Sequence, residues 1–352
     1  MSFSSLPPEL VHQIIESTVP HTFHTTTYKD RQDTLCRLSL VSHQFRSIAQ
    51  PLLLEIVWIR GSQDVEDFIL KKGIKKELVS QLVLGMGQFY SEDAERTIQK
   101  LSSLKSLTLN CYGSGYAPID LTFLNSLHQL SSLQLSQDES DVNGPLVLQS
   151  LQSLTLNEVY TETMSILLNV RTVPNLRQFA LVDNVASSDL LQTLKSRAFR
   201  RLLTQLDCLY IDVNVWESPD AEFLHPFASQ TLIDCAAYEL DEIMNGNNTI
   251  IHLRVYNSFS DKKALSSHLE DVCSDLEDYA SFLEQNPTIP LQTIYLDTTL
   301  RHHVFATPTL DDLARICRER SIELVFEPQY EECTADCYTS AEFWRRQRRR
   351  RS

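Results

Sequence analysis

Glycine is scarce here, 8 in 352 residues, which favours capped helices over long flexible linkers. Long apolar runs are missing too. Nothing approaches the roughly 18 consecutive apolar residues that a bilayer span needs, and the N-terminus has no basic region followed by an apolar signal core, so neither membrane insertion nor secretion is expected. The eight cysteines, at 36, 111, 208, 235, 273, 317, 333 and 337, lack paired CxxC spacing in a chain too long to depend on disulfides. Most of them read as reduced, small core residues. Catalytic signatures are also absent: no GxxxxGK[ST], no GxGxxG after a strand, no HExxH, no GxSxG. His302-His303 and the trio His12, His21 and His24 would need further ligands from the fold, and Cys333 and Cys337 have no second pair. No catalytic, cofactor-binding or metal-binding residue is therefore assigned, and no cofactor is expected.

What is present fits a soluble globular protein, 42% hydrophobic and 22% charged, long enough for a large core or more than one domain. The formal net charge of −15 is unevenly placed. Residues 342–352 hold six Arg and one Glu, so +5 sits there and −20 on the other 341 residues. An acidic body argues against general nucleic-acid binding, which rewards clustered Lys and Arg. The tail from Arg345 to Arg351 reads as solvated chain, with a nuclear import signal, an anionic contact or a fold-back onto the acidic body as alternatives. A cytoplasmic location follows, with the nucleus as the alternative if the tail is an import signal.

The N-terminal segment reads as amphipathic helices. Pro7 and Pro8 suit a first helical turn, where a missing N–H costs nothing, and Glu9 faces the positive end of the helix dipole. Leu10, Val11, Ile14 and Ile15 recur at helical spacing, as do Leu38, Val41, Phe45 and Ile48 before Pro51 punctuates the pattern. Two or three short helices bury little surface alone, so part of that apolar area would be more stable against a partner. The segment resembles an F-box over residues 3 to 57, and the stretch from Leu38 to Ile59 is similar to F-box proteins of the fungal type. The residues carrying the resemblance are Leu6, Pro7, Glu9, Leu10, Ile14, Ile15, Leu38, Val41, Ser42 and Phe45. It implies docking to a Skp-type adaptor and, through it, to a cullin-based ubiquitin ligase. Pro20 to Asp33, rich in Thr, reads as an insert between the first and second helices.

Beyond this segment the chain repeats itself. Leu104-Lys105-Ser106-Leu107-Thr108-Leu109-Asn110 returns from Leu130 to Ser136 and from Leu151 to Asn157, the copies beginning 26 and 21 residues apart. LxxLxL at this period is the leucine-rich repeat pattern. Weaker copies run from Val79 to Leu84, Leu176 to Leu181, Leu206 to Ile211, Ile250 to Asn257 and Leu291 to Leu296. Ile322, Leu324 and Phe326 mark a terminal strand, and no clean repeat stands between Trp216 and Asn248.

Helical patterns fall between the strands. Ser91 caps a segment with Ala94, Ile98 and Leu101; Thr161 precedes Met164, Leu167 and Leu168; Ser188 precedes Leu190, Leu191 and Leu194. A longer helix is expected from Ser260 to Asn286, with Leu265, Leu269, Val272, Leu276, Tyr279 and Leu283 on one face and Glu270, Asp271, Asp275, Glu277 and Asp278 on the other. That acidic face is either solvated or a surface for a basic partner. Thr309 to Cys317 reads as a last capped helix.

The expected fold is therefore α/β. An F-box-like helical domain (1–57) and a linker or cap (58–78) precede a leucine-rich-repeat solenoid (79–327), with strands on its concave face and helices on its convex face; a tail (328–352) follows. The expected function is a non-catalytic substrate receptor of an SCF-type ligase, its helices holding the adaptor and its repeats an unidentified target protein. The alternative is a repeat scaffold without a ligase role, its N-terminal helices merely capping the solenoid.

Overall fold

Among the described residues, three helices open the chain. In α1 (Pro8–Thr18), Pro8 and Glu9 occupy the first turn, and the Val19 N–H closes the last turn on the Ile15 carbonyl at 2.9 Å. α2 spans Thr25–Ser39. α3 (His43–Glu55) starts at Ser42, whose hydroxyl accepts the Phe45 N–H at 3.3 Å. Val11, Ile15, Val19, Leu35, Phe45 and Ala49 form the core between them, with Leu6, Leu38, Ile48, Leu52 and Leu53 packed against it.

In this computed structural model the described residues are 6–19, 25–59, 75–85, 95–96, 98–110, 119–136, 140–157, 159–182, 188–212, 231–235, 252–255, 269–289, 291–297 and 307–327. The chain divides into two compact units, Met1–Arg177 and Gln178–Ser352.

Three features of the helical domain differ from the sequence reading. The supposed insert is largely helix, because α2 begins at Thr25 and residues 25–33 extend it at its N-terminal end. The stripe Leu38–Val41–Phe45–Ile48 belongs to two helices, since the chain breaks at residues 40–42. Pro51 lies inside α3, which continues for four residues past it despite the missing N–H.

α3 runs directly into β1 (Ile56–Ile59), the first rung of a parallel stack. β2 (Gln81–Gly85), β3 (Ser106–Asn110), β5 (Ser132–Ser136) and β7 (Ser153–Asn157) follow in chain order; β4 (Ile119–Asp120) and β6 (Ser140–Asp141) form a separate two-stranded pair. The register aligns Val57, Leu82, Leu107, Leu133 and Leu154 in one row and Ile59, Leu84, Leu109, Leu135 and Leu156 in the next, all buried. Each row is a continuous apolar spine that only the neighbouring rung can cover. The stack therefore begins at Ile56, and the segment read as a linker from 58 opens inside its first strand.

The repeat is visible in backbone bonding as well. The paired N–H groups of Lys105 and Ser106 converge on the Ser80 carbonyl, those of Ser131 and Ser132 on Lys105, and those of Gln152 and Ser153 on Ser131. The first Leu of each copy closes a turn on the residue three before it: Leu104 on Leu101, Leu130 on Leu127, Leu151 on Leu148. These turn leucines are buried, as expected for residues filling the repeat's interior. The Thr161 pattern becomes α4 (Thr161–Leu167). Ser91, the expected cap, lies outside the described residues.

Among its described residues the second unit has six parallel strands in chain order: β8 (Gln178–Val182), β9 (Cys208–Asp212), β10 (Thr231–Cys235), β11 (His252–Val255), β12 (Thr293–Asp297) and β13 (Glu323–Glu327). β10 occupies the region where no repeat was expected. Its helices are α5 (Ser188–Leu194), α6 (Arg197–Leu203), α7 (Leu269–Gln285) and α8 (Thr307–Glu319). Phe179 of β8 meets Phe199 of α6 edge to face, with centroids 5.7 Å apart. Leu276, Tyr279 and Leu283 of the expected α7 stripe are buried, while Glu277 and Asp278 are exposed; the part of that helix expected before Leu269 lies outside the described residues. The Arg320 guanidinium, one residue beyond α8, donates to the carbonyls of Leu283 (2.8 Å), Pro287 (3.2 Å) and Ile289 (3.1 Å), tying the ends of α7 and α8 together.

Candidate docking surface on the N-terminal helices

The ten residues expected to hold the adaptor separate into three groups. Ile15 and Phe45 are buried in the helical core, and Leu6 and Leu38 pack on its edge. Pro7 and Ser42 begin α1 and α3, and Glu9 lies exposed in the first turn of α1. Leu10, Ile14 and Val41 face solvent, 45%, 38% and 50% exposed. The spacing of Leu10 and Ile14, one helical turn apart, puts both on the same side of α1, while Val11 and Ile15 turn inward.

Sequence reasoning missed Leu40. It is 77% exposed, the largest value among the exposed large apolar side chains of the described residues. Six such side chains are exposed, and four of them (Leu10, Ile14, Leu40 and Val41) belong to this one small domain. The available signal was its offset: Leu40 sits two residues after Leu38 and one before Val41, out of phase with the inward stripe.

The domain is braced on the stack by polar contacts from the early turns of α2. Trp58 N–H donates to the Tyr28 hydroxyl at 3.4 Å, and the two rings lie 5.8 Å apart. Burial pushes the Tyr28 phenol above its ordinary value, against the opposing effects of the Trp58 N–H and the Arg31 charge. Arg31 pairs with Glu55 at 3.4 Å, and Gln32 donates to the Leu53 carbonyl at 3.3 Å. Burial lowers the Arg31 pKa while Glu55 raises it, so desolvation offsets part of what the pair contributes. The Ser80 N–H and hydroxyl both donate to the Glu55 carbonyl, at 3.0 and 3.2 Å, fastening β2 to the end of α3.

The polar side chains on the strands of the stack differ in exposure from rung to rung. Gln134, Ser136, Thr155 and Asn157 alternate with the spine leucines yet are 9%, 0%, 8% and 4% exposed. Thr293 and Tyr295 on β12 are also buried. On β3, by contrast, Ser106, Thr108 and Asn110 are half-buried, so the polar side chains of the stack are covered at β5 and β7 and remain partly accessible at β3.

Among the described residues no helix is long and apolar enough to cross a membrane, and no three His, Cys, Asp or Glu side chains are grouped to hold a metal ion. The thiols differ in setting: Cys36 is exposed, Cys273 half-buried and Cys317 buried, where desolvation pushes it up to about 11 despite the nearby Arg320 charge.

The parallel, chain-ordered strands with leucine spines define an α/β chain built of stacked strand repeats. No family model matches the chain and no curated protein matches it. Among solved structures it is similar to a Bacteroides fragilis protein, at 14% identity over 80% of this chain and 78% of that one, with a TM-score of 0.44. It is also similar to an internalin from Listeria monocytogenes, at 13% identity over 95% and 91%, with a TM-score of 0.26. Both likenesses are remote, so function must be read from this chain's own residues.

Proposed function

We propose that this chain is a non-catalytic receptor subunit of an SCF-type ubiquitin ligase. Its N-terminal helices dock to a Skp-type adaptor, its repeats hold a protein target, and the remaining subunits supply the ubiquitin chemistry. The supporting observation is the concentration of exposed Leu, Ile and Val side chains on a helical domain that has its own buried core. Exposed apolar side chains gathered on one small domain offer a surface for association. The contribution of such a subunit is effective concentration: two binding surfaces on one chain bring a target's lysines near the ligase. Work in the cytoplasm or the nucleus is compatible with this role.

Co-purification of the full chain with a Skp-type adaptor tests the reading. A stable complex is expected, and Leu10→Asp combined with Ile14→Asp should abolish it while the chain still folds, because both side chains lie outside the helical core. Absence of a complex with the unmodified chain would overturn the ligase role. The second reading, a repeat scaffold capped by these helices, is favoured by the uninterrupted passage from α3 into β1. On that reading Leu10→Asp with Ile14→Asp changes only solubility.

A further inference from the structure

We propose that the corner between α2 and α3 anchors the docking surface, with Leu40 entering an apolar pocket whose rim carries carboxylates. This rests on the adaptor-docking reading above and names the chemistry its partner must offer. Leu40 and Val41 stand 77% and 50% exposed at the point where the chain leaves one helix and enters the next.

A leucine on a pliable loop would lose much of its docking free energy to ordering. This corner is already ordered. Leu40 N–H donates to the Arg37 carbonyl at 3.0 Å and Val41 N–H to Leu38 at 3.1 Å. The Ser39 hydroxyl donates to the Cys36 carbonyl at 2.7 Å, and the Arg46 Nε reaches back from α3 to the Ser39 carbonyl at 3.1 Å. The last bond spans the corner, so Arg46 is a positioning residue for Leu40.

Charge specifies the partner further. From Thr34 to Leu54 there is no Asp or Glu, although the chain as a whole carries −15. The ionisable side chains of that stretch apart from Cys36 are Arg37, His43 and Arg46, all exposed. An apolar projection on a stretch that carries two arginines and no carboxylate complements an apolar pocket edged by carboxylates and is repelled by a basic one. Such an arrangement accelerates encounter and makes it sensitive to salt.

The test is binding of the full chain to a Skp-type adaptor, with rates measured at about 50 and 300 mM salt, a range over which the screening length shortens. Leu40→Ala should weaken affinity by about 30-fold, the size of an interface hot spot. Arg37→Glu should slow association and flatten its salt dependence. Thermal unfolding of both variants should match the unmodified chain, because neither side chain is buried. Arg46→Gln should weaken binding at both salt concentrations, since brace and charge are lost together. If the unmodified chain binds and Leu40→Ala and Arg37→Glu bind equally well, the anchor is elsewhere and the ligase reading stands. Faster association of Arg37→Glu would overturn the carboxylate rim. If the unmodified chain does not bind the adaptor, both the anchor and the ligase reading fall.

Discussion

The helical domain and the strand stack are both built on leucine, and they dispose of it differently. In the stack, Leu107, Leu109, Leu133, Leu135, Leu154 and Leu156 are at most 1% exposed, because each rung is covered by the next. In the helices, Leu10 and Leu40 stand 45% and 77% exposed outside a small buried core. A parallel ladder satisfies its apolar residues internally and extends by addition, whereas three short helices enclose only a small interior and leave apolar side chains outside it. The same residue type therefore supplies cohesion in one region and an association surface in the other.

The most forceful way to break this contrast is to remove one leucine from each region. Leu154→Ala should cost about 2–5 kcal/mol of unfolding free energy, by loss of transfer energy and creation of a cavity. Leu40→Ala should stay within about 0.5 kcal/mol of the unmodified protein. Chemical denaturation of the two variants reads both values, and an equal cost would show that Leu40 is covered in solution.

The helical domain can be loosened without touching an apolar group. Ser42→Ala removes the acceptor for the Phe45 N–H and should cost about 1 kcal/mol, seen as a lower denaturation midpoint. The end of α8 offers the opposite change. Ser321 holds a φ of 59°, the left-handed region that glycine adopts without penalty, where the Ile322 N–H closes on the Cys317 carbonyl at 2.7 Å. Ser321→Gly should leave stability unchanged or raise it by up to about 1 kcal/mol, measured by thermal unfolding.

The smallest effect concerns acid. At Asp120, burial opposes ionisation. Hydrogen bonds from the Thr122 hydroxyl and N–H (2.7 and 3.0 Å) and from the Asn143 N–H (3.3 Å) outweigh it and hold the carboxyl below its usual range. A depressed folded-state pKa contributes stability that is full above the unfolded carboxylate pKa and is lost as pH falls through the folded one. Acidification should therefore destabilise the unmodified protein more than Asp120→Asn, in unfolding curves recorded from neutral pH downward. Parallel losses in the two proteins would remove Asp120 from the account.

Much of the fold was legible in the residue pattern. LxxLxL marked β3, β5 and β7, and its weaker copies marked β2, β8, β9, β11 and β12. Alternation and the turn leucine are local properties that survive in a single sequence. β1 was hidden within the resemblance to an F-box, and β10, with the sequence Thr-Leu-Ile-Asp-Cys, has no leading Leu and stands out only through its pairing with β9 and β11. In β13 Val325 is buried while Leu324 and Phe326 are half-buried, although the alternation pointed to the latter two. At the candidate site, Leu10, Ile14 and Val41 were identified by type. Their separation from Ile15 and Phe45, and the prominence of Leu40, depended on how three helices meet.

The sequence by itself determined a repeating α/β chain with amphipathic helices at its start, because hydrophobic periodicity is written residue by residue. Only the tertiary structure decided which apolar side chains remain outside, that the polar residues Gln134, Ser136, Thr155 and Asn157 are covered, and that α3 passes directly into the first rung. Exposure is a property of what neighbours cover, and neighbours distant in sequence are chosen by packing.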